Sequence, residues 1–406
     1  MSRRKLVPHC ALCGVALLFS IVARAGTITV NGVSDIDSRD GLMTLREAIL
    51  LSNGTLAFAS LDASEQALVV QPVGAGQSDT INFNITGPGP HTIALTGILP
   101  LLSDGNTVID GYTEPGSVTN SDGIAFNGTI MVVIDGTSVP AGLPCLSIDS
   151  GNNVIRGCCI QNSRASTASS AIRFNSAAST NNRIEGCLIG TNVSGIAAAA
   201  NGIGLDVSGG ANANIIGGSA LADRNVISGN QTHGVLISGS STVSNRVINN
   251  LIGLNAAGTA AIANGNDGVR IDSGADNNEI GGTAASDRNI ISGNSLRGVL
   301  ISDAGTTGNK IIGSIIGLRP DGSAALANNT GVSIVNSASA NTIGGAAAGA
   351  GNIISGNSNG GVSLQSGSND VFGNLVGTDP SGTIDLGNAG FGVEVSNVAN
   401  CKIGGA

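Results

Sequence analysis

From Asn153 onward a pattern of about 31 residues repeats, and no other feature constrains the fold as much. Units open at Asn153, Asn182, Asn214, Asn245, Asn278, Asn309, Asn341, Asn369 and Asn400. Alternate units are most alike, which adds a longer period near 63. One type reads NEIGGTAASDRNIISGNSLRGVLI (Asn278–Ile301) and the other NRVINNLIGLNAAGTAAIANGNDGVRI (Asn245–Ile271). Apolar residues stand two apart in short runs such as Val235/Ile237, Val269/Ile271, Val299/Ile301, Val332/Ile334, Val362/Leu364 and Val393/Val395. Gly, Asn and Ser bound these runs, which is the pattern of strands and not of helices. Strands this short bury a face only by stacking on the next copy. The expected fold is therefore all-β, a single-stranded parallel β-helix with coils about 4.8 Å apart. Its hand is right, because parallel crossovers strongly prefer that hand.

A column of asparagines supports the same register. Asn230, Asn264, Asn294, Asn357 and Asn388 lie four residues before the Gly of each Gly-Val strand, and Asn201 and Asn328 lie three before it. Stacked amides can hydrogen-bond from coil to coil, and Asn tolerates tight left-handed turns. The unit-opening asparagines form a second column.

The chain divides into four parts. Residues 1–25 read as a secretory signal peptide: Arg3, Arg4 and Lys5 start it, an apolar run spans about Ala11–Val22, and Ala23-Arg24-Ala25 places cleavage after Ala25. The apolar run is too short for a transmembrane anchor. No other stretch suits a membrane span, so the mature chain is expected to be secreted or at the cell surface. Without the four basic residues of that segment, 14 Lys and Arg face 27 Asp and Glu, a net charge of −13. Such a surface repels phosphate backbones and argues against nucleic acid as a partner. It is compatible with calcium or a basic partner, although no cofactor is required by any motif.

Residues 26–75 hold a first strand, Thr27–Val30, and a helix opening at Thr44, where Thr44 and Glu47 form a capping box. A β-helix needs a cover over its open end, and this helix is read as that cover, with Arg46 and Glu47 serving it and not catalysis. Residues 76–152 form irregular first coils, with strands at Thr80–Phe83, His91–Leu95, Thr107–Asp110 and Met131–Ile134. Residues 153–406 are the regular repeats. They stop just after a new coil opens, so the far end is expected to be uncapped, as in a fragment of a larger adhesin.

The segment GLMTLREAIL, with Met43 and Thr44 in place of Cys and Ser, resembles the Cys-Ser-Leu-Arg-Glu-Ala opening of a group of exported bacterial β-helix proteins. DTINFNITGPGPHTI (Asp79–Ile93), VIDGYTEPGS (Val108–Ser117), RNVISGN (Arg224–Asn230) and GTDPSGT (Gly377–Thr383) resemble that group as well. The resemblance implies the right-handed β-helix of the pectin-lyase-like superfamily and a place at or beyond the cell surface. It implies no activity, since this superfold carries enzymes, adhesins and scaffolds alike.

Chemistry on the rod requires charged groups gathered on one outward wall. Between the inward Val and Ile of each strand, the outward column reads Arg173, Asp206, Leu236, Arg270, Leu300, Ser333, Ser363, Glu394 and is mixed. Just before the strand Gly the column reads His233, Asp267, Arg297, Thr330, Gly360, Phe391. His233, Asp267 and Arg297, with Arg270 and Asp272 nearby, are the candidate catalytic cluster; ordinary surface charge pairing is the competing reading. Turn aspartates such as Asp223, Asp287 and Asp379 are candidate calcium contacts, with solvated turns as the alternative. Glycan grooves usually carry aromatic platforms, and this chain has one Tyr, seven Phe and no Trp. Cys158 and Cys187 each sit five residues after a unit-opening Asn, so they should be neighbours; a disulfide or a stack of buried thiols would follow. The leading expectation is a non-catalytic structural or adhesive surface module whose partners are polysaccharide or another surface protein. A polysaccharide lyase or glycoside hydrolase is the alternative.

Overall fold

The computed structural model describes residues 25–404, so the signal-peptide reading of residues 1–25 falls outside the described residues except for Ala25. The chain winds as a right-handed parallel β-helix with three walls. The first wall has 13 strands, running from Val69–Val70 and Gly26–Val30 to Lys402–Ile403. The second has 10, from His91–Ala94 to Leu375–Val376, and the third has nine, from Leu146–Ile148 to Phe391–Val395. Among the described wall strands, only the edge strand Val69–Val70 pairs antiparallel.

Inside, like residues stack in register. Val247, Ile280, Ile311 and Ile343 line the first wall, Ile227, Ile252, Ile291 and Ile316 the second, and Val235, Val269, Val299 and Val332 the third. All are fully buried. A buried aliphatic side chain contributes about 1.5–3 kcal/mol, so the core is a sum of many equal small terms along the rod.

The 63-residue period has a simple origin. In one coil the extra residues lie between the first and second walls, as single turns at Leu221–Asp223 and Ala285–Asp287. In the next coil they lie between the second and third walls, as hairpins closed by Leu254–Ala261 and Leu318–Ala325 pairs. These turns and hairpins cover a second apolar stripe, on the outside of the second wall. It includes Val133, Cys159, Leu188, Val226, Leu251, Ile290 and Ile315, all buried. Since both faces of that wall are apolar from Val132–Asp135 to Ile353–Ile354, those strands carry no alternation.

Both asparagine columns are continuous hydrogen-bonded ladders. From Asn201 each Nδ2 donates to the next Oδ1 through Asn230, Asn264, Asn294, Asn328, Asn357 and Asn388, at 2.9–3.1 Å. The unit-opening column does the same from Asn153 to Asn369. Asn400 is a correction: Asp370 pairs with Lys402, so Cys401 and not Asn400 stands above Asn369. Asn400 instead joins the left-handed residues that precede each ladder position, such as Asn181, Ser244 and Asn277 with φ near +57°. A third ladder, Asn225 to Asn250 to Asn289, runs along the corner before the second wall.

The helix Leu45–Ser52 lies over the first coil, with Met43, Leu45, Ala48, Ile49 and Leu51 buried in the core. Thr44 and Glu47 make the capping box. The buried Glu47 carboxylate also accepts from Ser38 N at 2.8 Å and pairs with Arg39 at 2.7 Å, while burial pushes its proton affinity up. Arg46 binds Asp35 at 2.8 Å and the Ile98 carbonyl at 3.0 Å, tying the cover to a later coil. A second short helix, Ala63–Gln66, is capped by Asp62 and Glu65.

Cys158 and Cys187 do lie opposite each other, yet both are free thiols, so the disulfide reading is corrected. In-register parallel neighbours hold their Cβ atoms about 4.8 Å apart, whereas a disulfide draws them to about 3.8 Å. Both thiols turn along their own strands, toward Arg156 O at 3.5 Å and Glu185 O at 3.2 Å. Burial pushes the Cys145 and Cys187 thiols up to about 12 and raises those of Cys158 and Cys159 as well. Only thiolate reacts. Alkylation of the folded protein at neutral pH therefore modifies the half-buried Cys401 and spares the other four, as peptide mass spectrometry would report. A disulfide-linked Cys158–Cys187 peptide in a non-reduced digest would contradict this.

Candidate functional site

The outer face of the third wall carries the candidate cluster. Strand pairing aligns Leu236 with Arg270 and Leu300, which sets His233, Asp267 and Arg297 on three successive coils. They stand where the chain bends from the second wall into the third, just before glycines whose inward side touches the Asn ladder. Asp267 is 1% exposed. Its Oδ2 lies 3.3 Å from His233 Nδ1, a close contact without hydrogen-bond alignment. Its Oδ1 accepts from the Arg297 backbone N–H at 3.3 Å and lies 3.6 Å from the Arg297 guanidinium. The carboxylate is thus held between a cation and an imidazole and is almost withdrawn from solvent. Arg270 pairs with Asp272 along its own strand, at one side of the stack. His233 is 8% exposed, and its Nε2 has no hydrogen-bond partner among the described residues.

Further along the same face, a polar groove of about 230 Å³ runs from Arg297 past Ser333 and Ser363 to Glu394 and Phe391. Ser363 Oγ donates to Glu394 Oε2 at 3.2 Å and accepts from Gln365 Nε2 at 3.3 Å. The tip of the Phe391 ring lies against Gly360, where any side chain would collide with it. Gln365 was not singled out from the sequence, although it lies two residues beyond Ser363 on the same face. At the near end of the wall Arg173 pairs with Asp206 at 2.8 Å.

The other polar residues are held locally. His91 Nε2 lies 3.3 Å from Glu114 Oε1, and both side chains are buried. Asp223 faces Arg183, and Asp287 faces Arg246 and accepts from Ser219 Oγ at 2.6 Å. Asp379 accepts from Ile384 N, Ser381 Oγ and Thr383 N of its own hairpin, which hold its carboxyl down to about 2. No group of three or more His, Cys, Asp or Glu among the described residues is placed to hold a metal ion. No helix among them is long and apolar enough to cross a membrane.

No protein-family profile matches the chain. No curated protein matches it either. Among solved structures, the periplasmic alginate epimerase AlgG shares 11% identity over 80% of this chain and 70% of its own, with a TM-score of 0.38. The pectate lyase Pel9A shares 14% over 93% and 79%, with a TM-score of 0.36. The Dettilon tailspike protein shares 16%, with 79% of this chain spanning 62% of that one, at a TM-score of 0.36. At such values these likenesses assign no activity to this chain.

Proposed function

We propose that this protein is an exported, non-catalytic β-helix module of the cell surface or extracellular space, with the outer face of its third wall as a contact strip for polysaccharide or another surface protein. The observation that carries this reading is the state of Asp267. A general acid or base must reach the proton it transfers, and this carboxylate is buried between His233 and Arg297. Charges that neutralise one another across adjacent coils stabilise the wall modestly. The acidic chain, net −9 overall, favours partners that are neutral or basic over nucleic acid.

A polysaccharide lyase or hydrolase is the second reading, favoured by the unpartnered Nε2 edge of His233 beside a carboxylate. Purified residues 26–406 incubated with acidic and neutral polysaccharides, with and without calcium, should release no new reducing ends and no unsaturated products. Turnover that disappears in both His233→Ala and Asp267→Asn would replace the scaffold reading with the enzymatic one.

A further inference from the structure

Six Asn-Gly pairs occur in the chain, at Asn31, Asn53, Asn127, Asn201, Asn264 and Asn359. Such a pair has a reactivity of its own. Glycine has no side chain to shield its backbone nitrogen, and its permissive backbone lets that nitrogen swing onto the preceding carboxamide. Ring closure needs a carboxamide free to turn and a glycine N–H not committed to a strong hydrogen bond.

Five of the six pairs lack at least one of these. Asn201 and Asn264 are buried in the ladder, and Gly202 N and Gly265 N donate to Ser163 O at 2.8 Å and Asn230 O at 2.9 Å. The Asn53 carboxamide donates to Leu101 O at 2.7 Å and accepts from Ser103 N at 3.1 Å, while Gly54 N donates to Leu51 O at 2.9 Å. Asn31 Oδ1 accepts from Met43 N at 2.8 Å. Asn127 is tied to Ser121, accepting from its backbone N–H at 2.9 Å and donating to its Oγ at 3.1 Å.

Asn359 differs in both respects. It is exposed, and its carboxamide makes no hydrogen bond among the described residues. Asn359 N takes the Asn329 carbonyl at 2.8 Å, so Gly360 N shares that acceptor at only 3.4 Å. The exposure belongs to this corner of the rod. Strand pairing sets Asn329 and Leu296 at the same place one and two coils earlier, and both are exposed as well.

We propose that Asn359 is a site of spontaneous modification in the folded protein, through attack of Gly360 N on its side chain. Gly360 N gives up its proton to solvent base and bonds to Asn359 Cγ; the Cγ–Nδ2 bond breaks, and the nitrogen leaves as ammonia with a proton taken from water. Water then opens the succinimide ring at either carbonyl, giving aspartate or isoaspartate. Overall one water is consumed and one ammonia released. Either product puts a new carboxylate in the polar groove of the third wall, whose charged lining is otherwise Arg297 and Glu394. The groove changes from balanced to net acidic. This goes beyond the scaffold reading and does not depend on what the groove contacts.

The test incubates the mature chain at mildly alkaline pH and follows its peptides by mass spectrometry, with isoaspartate resolved by chromatography. Asn359 should convert at least about tenfold faster than Asn264, whose reaction must await local opening of the ladder. It should also convert ahead of Asn31, Asn53, Asn127 and Asn201. In urea the six rates should converge, because the fold and not the dipeptide makes the choice. Asn359→Gln, at an exposed position, should remove the fast conversion and leave the other five sites unchanged. Asn359 intact in the folded protein while it converts in urea would overturn the proposal, as would Asn53 or Asn127 converting first.

Discussion

Asn264→Ala should destabilise the rod by about 3–5 kcal/mol, an effect comparable with emptying a large core position. Asn264 Oδ1 accepts from the Asn230 backbone at 3.1 Å and from Asn230 Nδ2 at 2.9 Å. Its Nδ2 donates to Ile227 O at 3.1 Å and to Asn294 Oδ1 at 2.9 Å. The residue is fully buried, so truncation strands the Asn230 donors on the coil below and the Asn294 carbonyl oxygen on the coil above, with no water to replace the lost partner. Ile227 O keeps its bond from Gly253 N. Asn388 accepts likewise from Asn357 N and Nδ2 and donates to Ile354 O, but it is half-buried and donates to no further Asn among the described residues, so water can take the place of its amide. Asn388→Ala should therefore cost only about 1 kcal/mol. Urea unfolding followed by circular dichroism measures both. Equal small effects at the two positions would mean that the ladder is not a continuous buried chain.

Gly281→Ala should be comparably severe, costing about 3 kcal/mol or more, for a different reason. Gly281 ends a first-wall strand at φ +93°, and a Cβ there would lie 1.9 Å from the Ile312 carbonyl of the next coil. Coil spacing is fixed by backbone hydrogen bonds, so the contact is relieved only by separating coils. Gly239 has nearly the same φ, +92°, yet its Cβ would meet nothing closer than Thr242 Oγ1 at 4.0 Å. Gly239→Ala should thus carry only the dihedral cost, about 1–2 kcal/mol. The difference in unfolding free energy between the two variants isolates coil-to-coil contact from local backbone strain. Matching losses would show that the coils are not held at this spacing.

Much of the fold could be read from residue spacing, and the exceptions have identifiable causes. Third-wall strands such as Val269–Asp272 show alternation because one face meets the core and the other solvent. The second wall hides from the same test, since Val226 and Leu251 are buried outside as Ile227 and Ile252 are inside. The ladder Asn225–Asn250–Asn289 escapes detection because inserted turns and hairpins alternate, so its spacings swing while those of the other two ladders stay near 31. Asn400 looks like a ladder residue because left-handed turns and ladders both favour Asn. The DASE segment at Asp62–Glu65 carries a legible capping box for the short second helix, but it lacks an apolar run to draw attention to it.

For the candidate cluster, column arithmetic placed His233, Asp267 and Arg297 on neighbouring coils. It could not reveal that Asp267 is buried between the other two, because exposure depends on the bend that sets the cluster against its own wall. Cysteine register likewise conveyed adjacency but not direction, and thiols on parallel strands point alike.

The central claim is that long in-register ladders of buried asparagine amides hold the coils together, and side-chain amide hydrogen exchange followed by NMR tests it most directly. Asn214, Asn230, Asn245, Asn264, Asn278 and Asn294 should have carboxamide protons protected for hours or longer, the regime of the most stable core, while exposed Asn127 and Asn359 exchange freely. Uniformly rapid exchange across all these positions would contradict the stacked β-helix and everything inferred from its register.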